Sequence, residues 1–140
     1  MLSQHSDSVI IVPSGPGLTD ITKSVETFVS SAKIADGLLT LFLRHTSASL
    51  LIQENADRAV LHDLENFFSR LVSRDVNLYL HQTEGPDDMP AHIRTALTQS
   101  SLSIPVKGGV PALGIWQSIY LFEHRDAPHQ REIMMHVTGE

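Results

Sequence analysis

Apolar and polar positions alternate from Ser3 onward and end in Val9-Ile10-Ile11-Val12, which predicts a strand that Pro13-Ser14-Gly15-Pro16-Gly17 stops. Val25, Phe28, Val29 and Ala32 then recur at helical spacing, with Asp20 or Thr22 as a starting cap and Gly37 as the stop. Leu38-Leu39-Thr40-Leu41-Phe42-Leu43 predicts a buried strand, and Leu50-Leu51-Ile52 a second, short one. Behind a cap at Asn55, the residues Val60, Leu64, Phe67, Phe68, Leu71 and Val72 make one broad apolar face of a longer helix. Val76, Leu78 and Leu80 alternate with Asn77 and Tyr79, which predicts another strand. Met89-Pro90 opens a short helix carrying His92, Ile93, Ala96 and Leu97. Three strands close the chain, at 102–106, 115–122 and 132–137, with a turn at 107–111 and a polar link at 123–130.

Strands interspersed with about three helices, and hairpin-like spacing at the end, predict a compact α+β fold with a mostly antiparallel sheet. No repeat, linker or low-complexity tract divides residues 1–140, so one domain is expected. With 41% hydrophobic residues the chain can bury a core. No apolar run approaches the roughly 20 residues of a membrane span, and the first residues show neither a basic nor a long apolar signal region, so no membrane partner is expected. Cysteine is absent, which removes disulfides, thiolate nucleophiles and cysteine-held metal, and a cytoplasmic setting is expected. The net charge of −6, without a basic cluster, argues against nucleic acid as a partner. Histidine, at 8 residues, is the enriched chemical group, and metal chemistry here would fall to imidazoles and carboxylates.

The polar residues gather at the ends of predicted strands, where scaffold meets loop. His81 and His92 stand eleven apart, one at a strand end and one early in a helix. That arrangement brings two imidazoles together across a loop, with His45 as a third ligand and Asp57, Glu84, Asp87 and Asp88 as oxygen donors. The spacing matches no compact zinc motif, and the same histidines serve equally well as surface or hydrogen-bonded residues. His45, beside Thr46 and Ser47, is suited to proton transfer. Ser47 and Ser49 would be nucleophiles only beside a base, and no nucleophile-elbow motif is present. Lys107-Gly108-Gly109 offers a cation and flexible amides to an anion, or makes a plain turn. Arg44 and Arg125 are stronger phosphate clamps. Asp57, Asp87 and Asp88 could hold Mg²⁺, although Asp57 also suits the positive end of its own helix. Trp116 lies inside an apolar strand with core packing as its first role, while Gln117, on the opposite side, reads a ligand or satisfies backbone.

Three segments, in order and spacing, resemble one known family. They are His45-Thr46-Ser47-Ala48-Ser49 with Glu54-Asn55-Ala56-Asp57, Glu84-Gly85-Pro86-Asp87-Asp88-Met89-Pro90-Ala91-His92-Ile93, and Leu113-Gly114-Ile115-Trp116-Gln117 running to Glu123-His124-Arg125. With the terminal Gly139-Glu140 they make the chain similar to the YjbQ family from about Ile21 to the end. The resemblance implies a β-sandwich-like α+β fold assembled as a homotrimer. It also implies a secondary thiamine-phosphate synthase activity, joining a pyrimidine methyl diphosphate to a thiazole phosphate with release of pyrophosphate. Metal or anion sites at His45, His81 and His92, with Asp57 and Asp88 near by, belong to the same expectation, and His124 matches more loosely. Ile115 and Ser118 depart from the family pattern, as does the segment after Leu97.

In that reaction Arg44, Arg125, Lys107 and a divalent ion, Zn or Mg, on Asp57 or Asp88 would hold the diphosphate, and His45 would protonate or hydrogen-bond the leaving group. Trp116 and Gln117 are the candidate ligand contacts of the pocket wall. Three readings stay open: an enzyme acting on phosphorylated small molecules, a binding module for metal or small ligand, and a structural protein. The first two require His45, His81 and His92 to cluster.

Overall fold

The computed structural model describes residues 1–140. Eight strands and three α-helices follow in the order β1 (Ser3–Ile11), β2 (Gly17–Asp20), α1 (Thr22–Ala32), β3 (Gly37–Leu43), β4 (Ala48–Glu54), α2 (Arg58–Leu71), α3 (Asp88–Leu97), β5 (Ser101–Lys107), β6 (Val110–Pro111), β7 (Gln117–Glu123) and β8 (Arg131–Gly139). They form two antiparallel sheets, β1-β8-β3-β5-β6 and β2-β7-β4. The fold is α+β, as the alternation of elements predicts. No helix is long and apolar enough to cross a membrane.

One apolar cluster draws on both sheets and on α1. Leu39, Leu41 and Leu43 of β3, Leu102, Ile104 and Val106 of β5, and Ile133, Met135 and Val137 of β8 supply the larger sheet's inner face. Ala48, Leu50, Ile119 and Leu121 supply the smaller sheet's share, and Val25, Phe28, Val29 and Ala32 of α1 complete it. The residues share a face because strand side chains alternate and helical ones recur every three or four positions. β3 is thus buried on one face only, and Leu38 and Phe42 are about half exposed on the other.

Three local expectations are corrected. The stretch 76–80 is no strand. Val76–Leu78 is a single 3-10 turn, fixed by Asp75 Oδ1 accepting the Asn77 amide at 3.0 Å and by the Tyr79 hydroxyl donating to the Ser73 carbonyl at 2.6 Å. α2 is capped by Asp57, which accepts the Ala59 amide at 2.9 Å, and not by Asn55. The left-handed residue ending α1 is Lys33, and Gly37 begins β3 instead.

Gly37 faces Gly139 across the β3–β8 pair. A Cβ on Gly37 would collide with the Thr138 carbonyl, and one on Gly139 with the Asp36 carbonyl. The missing side chains let Glu140 dock, its carbonyl accepting the Ala35 and Asp36 amides at 2.7 and 3.0 Å. Backbone cannot yield as a flexible side chain does, so Gly37→Ala is expected to destabilise by about 1–3 kcal/mol. A thermal melt should show a Tm lowered by roughly 3–10 °C, whereas an unchanged Tm would mean the two strands part freely.

Candidate functional site

α3 begins at Asp88, and helical spacing puts His92 one turn further on the same face. His81 comes from the loop ahead of the helix, which Gly85 turns with φ 103°. Asp88 Oδ2 lies 2.7 Å from His81 Nε2 and 3.0 Å from His92 Nε2, and the two rings are 5.5 Å apart. Ligand atoms of all three residues lie within 4.8 Å of one another. Asp88 is only 1% exposed, and its other oxygen is 2.9 Å from Arg125 Nη1.

Arg125, just past the end of β7, locks this carboxylate from behind. It donates Nε to Asp87 Oδ2 at 2.8 Å and Nη2 to the Glu84 carbonyl at 2.9 Å. All three branches of its guanidinium are therefore engaged inside the protein, and it is a positioning residue rather than a phosphate clamp. Burial pushes the Asp87 carboxyl up, but the Arg125 guanidinium and the Asp126 amide outweigh it and hold it down to about 2. Asp88 is also raised by burial and more strongly lowered by the His81 hydrogen bond and the charges of His92 and Arg125, for a net shift downward.

The partner of His92 Nδ1 decides where that ring carries its hydrogen. His92 Nδ1 is 2.8 Å from the Thr46 carbonyl, which can only accept, so Nδ1 carries the hydrogen. In the neutral ring Nε2 is then a bare lone pair facing a carboxylate oxygen. That contact calls for a cation, a second proton or a metal ion, between them. The backbone carbonyl behind His92 orients the ring as metal-bound imidazoles are usually oriented. Two imidazoles and one carboxylate suit a divalent transition ion such as zinc better than the all-oxygen shell magnesium prefers. His81 and His92 are partly exposed, which leaves the outer side open to a further ligand.

The other sequence candidates lie elsewhere. His45 Nε2 accepts the Glu132 amide at 2.8 Å, so His45 does not join His81 and His92, and the expected cluster of three histidines is corrected to two with Asp88 in the third place. Burial and the nearby Arg131 push its pKa down, against a smaller upward pull from Glu123 and Glu132. Arg44 pairs with Glu132 at 2.7 Å on the surface. Lys107 pairs with Asp36 at 3.3 Å, and Asp36 also accepts the Gly108 amide, so this chain's own carboxylate occupies the anion-binding turn. Asp57 is spent on the α2 cap. Trp116 is not core: it stands in the turn before β7 and is 61% exposed. Gln117 closes that turn, its Oε1 accepting the Gly114 amide at 2.7 Å. Ser49 does lie 2.8 Å from an imidazole, that of His124, but it is fully buried and offers no nucleophile to solvent.

Sequence reasoning missed Glu123 and Arg131 as a pair, and Arg94 altogether. Glu123 accepts Arg131 Nε at 2.8 Å and Nη2 at 2.5 Å, with both side chains buried. The same carboxylate accepts the His124 and Arg125 amides at 3.0 and 3.3 Å, so it shapes the turn that aims Arg125. The one signal was charge set inside apolar strand ends.

Known proteins resemble the chain in sequence and in fold. The family described as UPF0047 protein YjbQ-like matches residues 8–140. A UPF0047 protein of Synechocystis sp. is 50% identical over 137 residues, 98% of this chain and 93% of its own. A UPF0047 protein YjbQ of Escherichia coli O157:H7 is 48% identical over 104 residues, 74% of this chain and 75% of its own. Among solved structures, an uncharacterised YjbQ/UPF0047 protein of Clostridium acetobutylicum superposes with a TM-score of 0.80 at 31% identity, covering 94% of this chain and 97% of its own. A YbjQ-like protein of unknown function from Sulfolobus solfataricus P2 reaches a TM-score of 0.90 over the full length of both chains at 23% identity, a likeness of fold. Matched by the family over residues 8–140 and 50% identical to one of its members over 98% of its length, the chain belongs to the YjbQ-like UPF0047 family, whose function is unknown.

Proposed function

We propose that the chain is a metal-dependent enzyme acting on a phosphorylated small molecule, with His81, Asp88 and His92 as the ligands of one divalent ion. The observation that carries this reading is the convergence of the two imidazoles on Asp88 Oδ2, with Arg125 fixing the opposite oxygen. When bound, such an ion supplies the positive charge that a departing phosphate or diphosphate oxyanion requires. Asp88 holds the ligand set in register, Arg125 keeps Asp88 from turning, and Thr46 fixes the His92 ring.

The reaction to assay first is the thiamine-phosphate synthase-like transfer that the family resemblance implies. There the thiazole nitrogen attacks the pyrimidine methylene carbon, the carbon–oxygen bond breaks, and diphosphate leaves with its electron pair. Since Arg125 is engaged and Arg44 and His45 lie apart from the centre, little beyond the metal group is on hand to bind that leaving group. A second reading is a metal-binding trimer without turnover. What favours assembly is the apolar surface left uncovered on one chain: α2 buries none of its residues fully, and Phe67, Leu71, Leu78 and Leu80 are exposed.

The test is the metal content of untagged protein, followed by competition with a chelator. Wild type is expected to hold stoichiometric zinc or a similar ion, and His81→Ala and His92→Ala are expected to lose it while staying folded. Arg125→Gln keeps all three ligands and should weaken binding about 10–100-fold. Metal-free wild type that takes up no added ion, or variants that bind as it does, would end the metal reading. Metal binding with no turnover of either phosphorylated substrate would favour the second.

A further inference from the structure

Away from the metal group, a cavity of about 250 Å³ lies between α2, α3 and the end of β7. Phe68 and Phe122, edge to face at 5.5 Å, make an apolar wall. Arg94 reaches the cavity from α3 and is only 8% exposed. Its guanidinium donates Nε to the Phe68 carbonyl at 3.3 Å and enters no ion pair. The carboxylates around it are engaged elsewhere. Asp126 holds Arg74 through bonds of 3.0 and 2.6 Å, Glu123 holds Arg131, and Glu65 Oε1 accepts the Leu18 amide at 3.2 Å. Both Nη groups are left without a protein acceptor and open onto the cavity, where an anion can meet them.

His124 lines the same cavity and is 3% exposed. Its Nδ1 is buried with no partner. The direction of that vacancy follows from a chain of hydroxyls. Thr98 Oγ1 lies 2.7 Å from the Arg94 carbonyl and must donate to it. Ser49, in close contact with Thr98 Oγ1, therefore donates to Thr98 and accepts from His124 Nε2–H at 2.8 Å. Burial and the charges of Arg94 and Arg131 drive the imidazole down to about 3, so it is neutral. Nδ1 is then a bare lone pair, an acceptor in need of a donor.

We propose that this cavity binds a small hydroxycarboxylate, its carboxylate on the Arg94 guanidinium and its neighbouring hydroxyl donated to His124 Nδ1. A guanidinium fork matches a carboxylate through two parallel bonds. A phosphate monoester dianion has no hydrogen to give His124, and an ammonium in place of the hydroxyl would set a cation beside Arg94. The space fits an acid of a few carbons, since about 250 Å³ is only some eight times the roughly 30 Å³ of one water. This site is separate from the metal group, so either can fail without the other.

The experiment is an NMR titration of the full chain at pH 8 with glycolate, acetate, glycine and methyl phosphate as probes. Glycolate is expected to shift the Arg94 side chain and residues 122–124 saturably in the millimolar range, and acetate to bind about tenfold more weakly. Arg94→Met should weaken glycolate about tenfold or more, and His124→Leu should bind glycolate and acetate alike. His92→Ala should bind glycolate as wild type does. If Arg94→Met fails to fold, Arg94→Lys keeps the charge without the fork and should still bind more weakly. No saturable shift with glycolate, equal binding of acetate or methyl phosphate by wild type, or unchanged binding in the Arg94 variant would each overturn the proposal.

Discussion

Replacing Glu123 by glutamine is expected to cost about 3–5 kcal/mol of stability, the largest effect of any single substitution considered. The Glu123–Arg131 pair ties β7 of one sheet to β8 of the other, and water reaches neither side chain. Glutamine has nearly the same shape, so packing is preserved and the loss is electrostatic. A buried guanidinium that loses its counter-charge keeps its desolvation cost, and Arg131 retains only neutral acceptors, the glutamine oxygen and the Ser47 carbonyl at 3.2 Å. For a chain of this length the Tm should fall by roughly 10–20 °C. The double variant Glu123→Leu, Arg131→Met should regain most of that, because two apolar groups leave no orphaned charge. A single variant as stable as wild type would show that water enters between the sheets. A further consequence distinguishes this pair from a mere bolt. Glu123 also accepts the amides of His124 and Arg125, so the single variant should loosen Arg125 and weaken metal binding even where it stays folded.

Acid should weaken the fold from near pH 6.5 downward, with His124 the principal cause. Its folded imidazole is pushed from 6.5 down to about 3 by burial, with Arg94 and Arg131 adding to the shift. The unfolded ring takes up its proton near 6.5, while the folded one resists until about 3. Between those values the unfolded state binds more protons, so stability drops as pH falls, by about 1.4 kcal/mol per pH unit. Above 6.5 both states are neutral and the contribution is constant. The groups facing the ring are Arg94 from α3, Arg131 from β8, and Glu123, whose charge Arg131 engages. Asp87 acts in a lower window, losing its contribution as pH falls below 3.8 toward about 2. Denaturant melts at a series of pH values should show the slope in wild type. His124→Leu should lose most of it, leaving a residue from His45, which is also pushed down. An unchanged slope in the variant would assign acid sensitivity elsewhere.

Much of the fold was legible because burial alone writes it. The apolar positions of β5 and β8 alternate, those of α1 recur at helical spacing, and the structure uses each as the pattern implies. Met89-Pro90 marked the start of α3 to within one residue, and His81 and His92 were legible as a pair across a loop. Alternation over five residues at 76–80 said nothing about a partner strand. Asp75, Tyr79 and Gln82 satisfy that backbone locally instead. Trp116 was misplaced because an apolar run does not show where a strand begins, and the Gly114–Gln117 turn delays it. Arg94, Arg131 and Glu123 were illegible for a different reason. A charged residue between apolar ones reads as a solvated face unless its long-range partner is known, and Arg94 has no carboxylate partner within the chain, only the Phe68 carbonyl.

The lone tryptophan turns exposure into an instrument. Trp116 already faces water in the single folded chain, so unfolding that chain changes its surroundings little. Its emission should sit near the wavelength of a free indole at low protein concentration and barely move through a melt that circular dichroism follows in full. A blue shift that grows with concentration would report another surface closing over it. One fluorophore would then separate assembly from folding.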